Sequence, residues 1–132
     1  MLSDKQRRPG PSVRRRVLEF VGDDQRARED RIATEEPLEI RVVAPGVAPV
    51  TAWVTMRTPG NDFDLAAGWA IHESVAGRGD ITSIAYCTNA DLTAEQEFNV
   101  VTMTLAKAPR LPLRTMTAAS GSSACGVCGK DS

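Results

Sequence analysis

The sequence predicts an α+β fold, a small, mainly antiparallel sheet with one central buried helix. Three observations carry that expectation. Two successive runs alternate apolar with polar residues, a capped apolar segment between turn signals has helical spacing, and two later runs are rich in Val, Ile, Met and Thr. Composition agrees, since 132 residues with 42% hydrophobic and 25% charged describe one modest soluble globular domain. A chain of this size can bury its own core, although small domains stay near marginal stability.

Residues 1–31 read as a flexible charged tail. Lys5, Arg7, Arg8, Arg14, Arg15 and Arg16 make the start basic, while Glu19, Asp23, Asp24, Glu29, Asp30, Glu35, Glu36 and Glu39 make the next stretch acidic. No sustained apolar period runs through them, and charge blocks of this kind are usually solvated. Arg7-Arg8 is followed by Pro9, Gly10, Pro11 and more arginine rather than by an apolar segment, so a twin-arginine export signal is not expected.

Folded structure is expected from Ile32, with an amino-terminal α+β domain over residues 32–116. Leu38, Ile40 and Val42 alternate with Glu39 and Arg41, the period of a strand with one buried face. Pro45, Gly46 and Pro49 break the run. A second strand over residues 50–57 should put Val50, Ala52, Val54 and Met56 on one face and complete a hairpin. Thr58-Pro59-Gly60-Asn61 reads as a turn. A helix follows: Asn61 or Asp62 caps it, Asp62 and Asp64 favour its positive end, and Phe63, Ala66, Ala67 and Ala70 share helical spacing. Leu65, Trp69 and Ile71 widen its apolar surface, and residues 77–80 should end it. Residues 81–86 and 98–105 suggest a third and a fourth strand.

Beyond Leu105 come Pro109, Arg110, Pro112 and Arg114, then a run of small residues that cannot build a core. Residues 117–132 are therefore read as a loop that delivers Cys125-Gly126-Val127-Cys128-Gly129-Lys130. A net charge of −1 gives no global argument for nucleic acid. No run approaches the roughly 20 apolar residues of a membrane span, so a soluble, cytoplasmic protein without membrane contact is expected. Three cysteines, two of them close together, do not resemble a secreted disulfide framework and point to thiol chemistry or metal.

A thiol becomes a nucleophile or sulfur carrier when it is accessible and its thiolate is stabilised by positive charge or backbone donors. Glycines 121, 126 and 129 expose the backbone around Cys125 and Cys128, Ser122 and Ser123 can donate hydrogen bonds, and Lys130 and Arg114 are cationic neighbours. Four readings stand side by side on the residues alone. The pair is inert, or a dithiol redox site, although thioredoxin-like pairs open a helix in a βαβ setting. It is half of a zinc site completed by Cys87 and His72, which lack paired spacing. Or it is a persulfide carrier that exchanges sulfur by thiolate attack.

Four segments together resemble the FdhD family of formate dehydrogenase accessory sulfurtransferases. They are Glu35-Glu36-Pro37-Leu38-Glu39-Ile40, Met56-Arg57-Thr58-Pro59-Gly60, Asp64-Leu65-Ala66-Ala67-Gly68, and Ser122-Ser123-Ala124-Cys125-Gly126-Val127-Cys128-Gly129-Lys130. The resemblance implies a sulfur carrier that takes sulfur from a cysteine desulfurase as a cysteine persulfide. It passes that sulfur to the molybdenum, or tungsten, bis-guanine-dinucleotide cofactor of formate dehydrogenase, a cargo rather than a permanently bound group. Cys125 would be the principal carrier and Cys128 its partner. Arg57 and Glu73 stand at motif positions for which turn and helix-end roles are expected, and burial is the expected reason for Cys87.

The family usually has Phe where Trp69 stands, an acidic residue then Gly where Glu73-Ser74 stands, and Ser where Ala124 stands. Its members continue through a cytidine-deaminase-like domain that supplies much of the cofactor-binding surface. This chain is thus expected to be the amino-terminal half, leading into a truncated domain of that kind. It would be a sulfurtransferase when the other half is supplied, and inactive without it. An uncovered face would favour self-association, so a homodimer is compatible with this reading. The alternatives are an inactive fragment that only binds partner proteins, and a small zinc-binding module.

Overall fold

The computed structural model describes residues 10–87, 92–93 and 96–110. Six strands and one α-helix follow in the order β1 (Ser12–Val21), β2 (Asp24–Ala33), β3 (Glu36–Ala44), β4 (Val47–Arg57), α1 (Asp62–His72), β5 (Ile81–Tyr86) and β6 (Val100–Leu105). They form a two-stranded ribbon, β1-β2, and a four-stranded sheet of order β4-β3-β6-β5. The α+β expectation holds. The β3–β4 and β5–β6 pairs are antiparallel, but the central β3–β6 pair is parallel. Reaching a parallel neighbour needs a long crossover, and α1 with β5 supplies it.

The four-stranded sheet follows the alternation seen in the sequence. Leu38, Ile40 and Val42 are fully buried on one face of β3, beside Val101 and Met103 of β6. Each such side chain contributes about 1.5–3 kcal/mol relative to exposure. The helix lies on this face through Ala66, Trp69 and Ala70, and its alanines let the helix backbone approach the sheet. Between β3 and β4, Pro45-Gly46 makes the turn, with Gly46 at φ 73 as the third residue of a type II turn requires.

The expected face of β4 is broken. Ile40 pairs with Trp53 and Arg41 with Thr51, so Ala52 is an extra residue in a β-bulge. The bulge brings Ala52 and Trp53 both to the core and turns Val54 and Met56 to the opposite side, where Met56 is 38% exposed. Pro49 is tolerated because β4 is an edge strand.

The helix ends earlier than residues 77–80. Ser74 takes the left-handed conformation at φ 58. Its N–H donates to the Ile71 carbonyl at 3.2 Å, and the Val75 N–H donates to the Ala70 carbonyl at 2.8 Å. These two bonds define a Schellman cap, whose following residue normally makes an apolar contact, here the fully buried Val75.

Residues 12–33 correct the expectation of a flexible tail, because they form the β1-β2 hairpin in continuous register around Gly22 at φ 60. The signal was hidden because both faces of the ribbon meet solvent. Charges pair across it instead, Arg15 opposite Asp30, Arg16 opposite Glu29 and Glu19 opposite Arg26, and Arg14 reaches Glu29 at 3.4 Å. No burial period exists where nothing is buried.

Candidate functional site

Cys125 and Cys128 lie outside the described residues, together with Arg114, Ser122, Ser123 and Lys130. The described motif residues converge elsewhere, on Arg57. This side chain is buried at the end of β4, where the chain turns through Thr58-Pro59-Gly60 into α1. Its Nε and one terminal nitrogen donate to the two oxygens of Asp62, each at 2.9 Å. The remaining donors reach Asn99 Oδ1 at 2.9 Å, the Phe98 carbonyl at 2.9 Å, and the Glu36 and Pro37 carbonyls at 3.3 and 3.4 Å. A guanidinium has five N–H groups in a fixed fork, and these contacts occupy the fork. Arg57 therefore ties β3, β4, α1 and the 96–99 turn together rather than facing a ligand.

Asp62 was expected as a cap or as a charge for the helix dipole. It is instead the buried partner of Arg57, and it also accepts the Tyr86 hydroxyl at 2.7 Å. The five-residue spacing of Arg57 and Asp62 across a tight turn was the available signal. Tyr86 and Asn99 carried none, because both come from sequence-distant segments. Beside the ion pair, the Tyr86 ring lies between Phe63, tilted at 46° with centroids 5.0 Å apart, and Phe98, edge-on at 5.6 Å. Gly60, Asn61, Asp62, Phe63 and Asp64 line an adjoining depression of about 240 Å³. Glu73 is the C-cap of α1, a structural position as expected.

The opposite sheet face carries a second polar group. Arg41 Nε donates to Glu39 Oε1 at 2.7 Å, and the Thr51 hydroxyl donates to the same oxygen. Burial alone pushes the Glu39 carboxyl up, but the hydrogen bonds from Arg41 and Thr51 and the guanidinium charge outweigh it, so its pKa is lowered. The Arg41 pKa is raised, mainly by the Glu39 hydrogen bond, and the nearby Cys87 adds to the effect. Cys87 is half-buried, just past β5, and its N–H donates to the Val100 carbonyl. At the other end of the sheet, the Gly77 N–H and the Lys107 ammonium hold the Asp80 carboxyl below its ordinary pKa.

The structure separates the two zinc candidates it describes. Asp62, at the start of α1, touches Tyr86, the neighbour of Cys87. His72 is exposed at the far end of the same helix, about 15 Å along its axis at 1.5 Å per residue. No group of three or more His, Cys, Asp or Glu side chains able to hold a metal occurs among the described residues. Among the same residues, no helix is long and apolar enough to cross a membrane.

No family model matches the chain, and no solved structure matches it. Curated proteins do. The sulfur carrier protein FdhD of Mycolicibacterium paratuberculosis is 44% identical over 121 residues, covering 90% of this chain and 43% of that protein. The protein of the same name from Streptomyces coelicolor is 39% identical over 121 residues, covering 90% of this chain and 41% of the relative. That from Anaeromyxobacter dehalogenans is 38% identical over 126 residues, covering 92% and 40%. The chain thus spans less than half the length of the curated relatives it matches. Identity at this level across nine-tenths of the chain places it in the FdhD family of sulfur carrier proteins.

Proposed function

We propose that this chain carries the sulfur-accepting segment of a carrier protein serving formate dehydrogenase. The observation that supports it is the identity, near two-fifths over about 90% of the chain, to proteins named sulfur carrier protein FdhD. On this reading Cys125 is the acceptor. Its thiolate attacks the outer sulfur of a persulfide on a cysteine desulfurase, a new S–S bond forms at Cys125, and the donor's S–S bond breaks to leave the donor thiolate. Lys130 and Arg114 favour the thiolate form, and Cys128 is the partner thiol.

The second transfer moves that sulfur to the molybdenum or tungsten bis-guanine-dinucleotide cofactor of formate dehydrogenase in the cytoplasm. It relies on a cytidine-deaminase-like domain beyond this stretch of the family. The four-stranded sheet and α1 serve as the scaffold from which the cysteine segment extends. Arg57 and Asp62 act within that scaffold and do no chemistry on sulfur.

The test incubates the purified chain with a desulfurase and cysteine, followed by intact mass measurement. One added sulfur, removable by reductant, is expected. A chain that gains none is not a carrier by itself. If it still binds the desulfurase after both Cys125 and Cys128 are replaced by Ser, it is a binding fragment instead.

A further inference from the structure

Residues 106–110 follow β6 and are exposed except for half-buried Pro109, so they add little to the core. They are nevertheless fastened to the turn after α1 at four points. The Ala106 N–H donates to the Asp80 carbonyl at 2.8 Å, and the Arg110 N–H donates to the Val75 carbonyl at 2.9 Å. The Lys107 ammonium lies 3.0 Å from one Asp80 carboxylate oxygen, and an Arg110 terminal nitrogen lies 3.5 Å from the other. The Gly77 N–H donates to that second oxygen at 2.9 Å, which fixes the carboxylate on its own turn.

Gly77 makes room for the arginine. Its φ of −83 and ψ of 166 suit any residue, so the backbone conformation does not call for glycine. A Cβ at this position would stand 2.7 Å from the Arg110 terminal nitrogen and 3.2 Å from Asp80 Oδ2, and the guanidinium would have to leave. The Asp80 side chain is only 13% exposed, whereas those of Lys107 and Arg110 are mostly exposed. Ion pairs with one such exposed partner contribute little stability. They fix geometry instead, because Val75, which holds the Arg110 backbone, is fully buried in the core.

Cys125 lies 15 residues beyond Arg110 and 20 beyond Leu105. We propose that Asp80 is a positioning residue for sulfur loading: with Gly77 it clamps Lys107 and Arg110, and so sets the point and direction from which the cysteine segment leaves the scaffold. The proposal rests on the sulfur-carrier reading. Asp80 touches no reacting atom and acts through Arg110. A clamped root matters to a donor enzyme that engages the scaffold and Cys125 together, and not to a small persulfide that meets the thiol alone. Freeing the root lengthens the tether from 15 to 20 residues, which lowers the effective concentration of the thiol at a fixed point by only about 1.5-fold. A larger loss reports lost direction.

The test compares two sulfur donors on the full chain. One is a cysteine desulfurase with cysteine, and the other is glutathione persulfide, whose outer sulfur the Cys125 thiolate attacks with release of the glutathione thiolate. Asp80→Asn should lower kcat/KM for loading from the desulfurase more than twofold and leave loading from glutathione persulfide unchanged. Gly77→Ala, which expels the Arg110 guanidinium while keeping every charge, should do the same. Arg110→Ala, at an exposed position, supplies the same comparison if Asp80→Asn does not fold. Variants that load from the desulfurase within twofold of the parent chain, or that lose loading from both donors alike, would overturn the proposal alone. A parent chain that takes no sulfur from the desulfurase sinks the carrier reading, and the proposal with it.

Discussion

Replacing Ser74 with Gly should stabilise the protein. Ser74 sits at φ 58, directly after the α1 C-cap, and a left-handed backbone costs an L-residue with a side chain about 1–2 kcal/mol. Glycine avoids that cost, but gains about 0.4–1 kcal/mol of freedom in the unfolded chain. The side chain is exposed and has no hydrogen-bond partner among the described residues, so nothing else is lost. The net gain is about 1 kcal/mol. For a chain of 132 residues, that raises the melting temperature by about 3–5 °C. The family resemblance, which has Gly at this position, points the same way. Denaturant unfolding followed by the fluorescence of the stacked Trp53 and Trp69 measures it. A neutral or destabilising Ser74→Gly would refute the reasoning. Equal stabilisation by Ser74→Ala would also refute it, since alanine keeps the left-handed strain.

Further outcomes follow from the same structure. Arg57→Met or Asp62→Leu alone leaves a buried charge without its partner and should cost about 3–5 kcal/mol. The double variant should cost less than the sum, and a thermal-denaturation double-mutant cycle reads the coupling. Trp69 buries an indole N–H that has no hydrogen-bond partner among the described residues. An unmade bond of that kind costs about 1–3 kcal/mol, so Trp69→Phe should offset most of its lost packing and change stability by less than about 1 kcal/mol in urea melts. Glu39 has a lowered folded pKa. Its contribution is therefore present above the unfolded value of about 4.3 and is lost as pH falls through the folded value. Glu39→Gln should lower stability at neutral pH and narrow the difference between neutral pH and about pH 3, as read by melts at both.

The elements that showed themselves in the sequence are those whose burial repeats. β3 announced itself through Leu38, Ile40 and Val42, and β5 through Ile81, Thr82, Ile84 and Tyr86 between turns. The β1-β2 ribbon did not, because its strands are held by a ladder and by cross-strand charge, and neither leaves a hydrophobic period. The bulge at Ala52 was also invisible, since a single extra residue reverses the faces of a strand without changing its composition. The helix end at Ser74 hid behind a serine in a position that usually takes glycine. Of the Arg57 group, only the arginine and aspartate are close in sequence. Tyr86 and Asn99 are brought in by tertiary folding that no local pattern encodes. The cysteine pair was legible as chemistry from spacing and neighbours, and its role came from resemblance to a family.

The most direct test of the sulfur-carrier reading maps the added sulfur among Cys87, Cys125 and Cys128 after exposure to a desulfurase and cysteine. Alkylation of the persulfide followed by peptide mass analysis should place it on Cys125, and Cys125→Ser should abolish loading while Cys87→Ser leaves it unchanged. Sulfur found on Cys87 alone, or loading that survives Cys125→Ser, would contradict it.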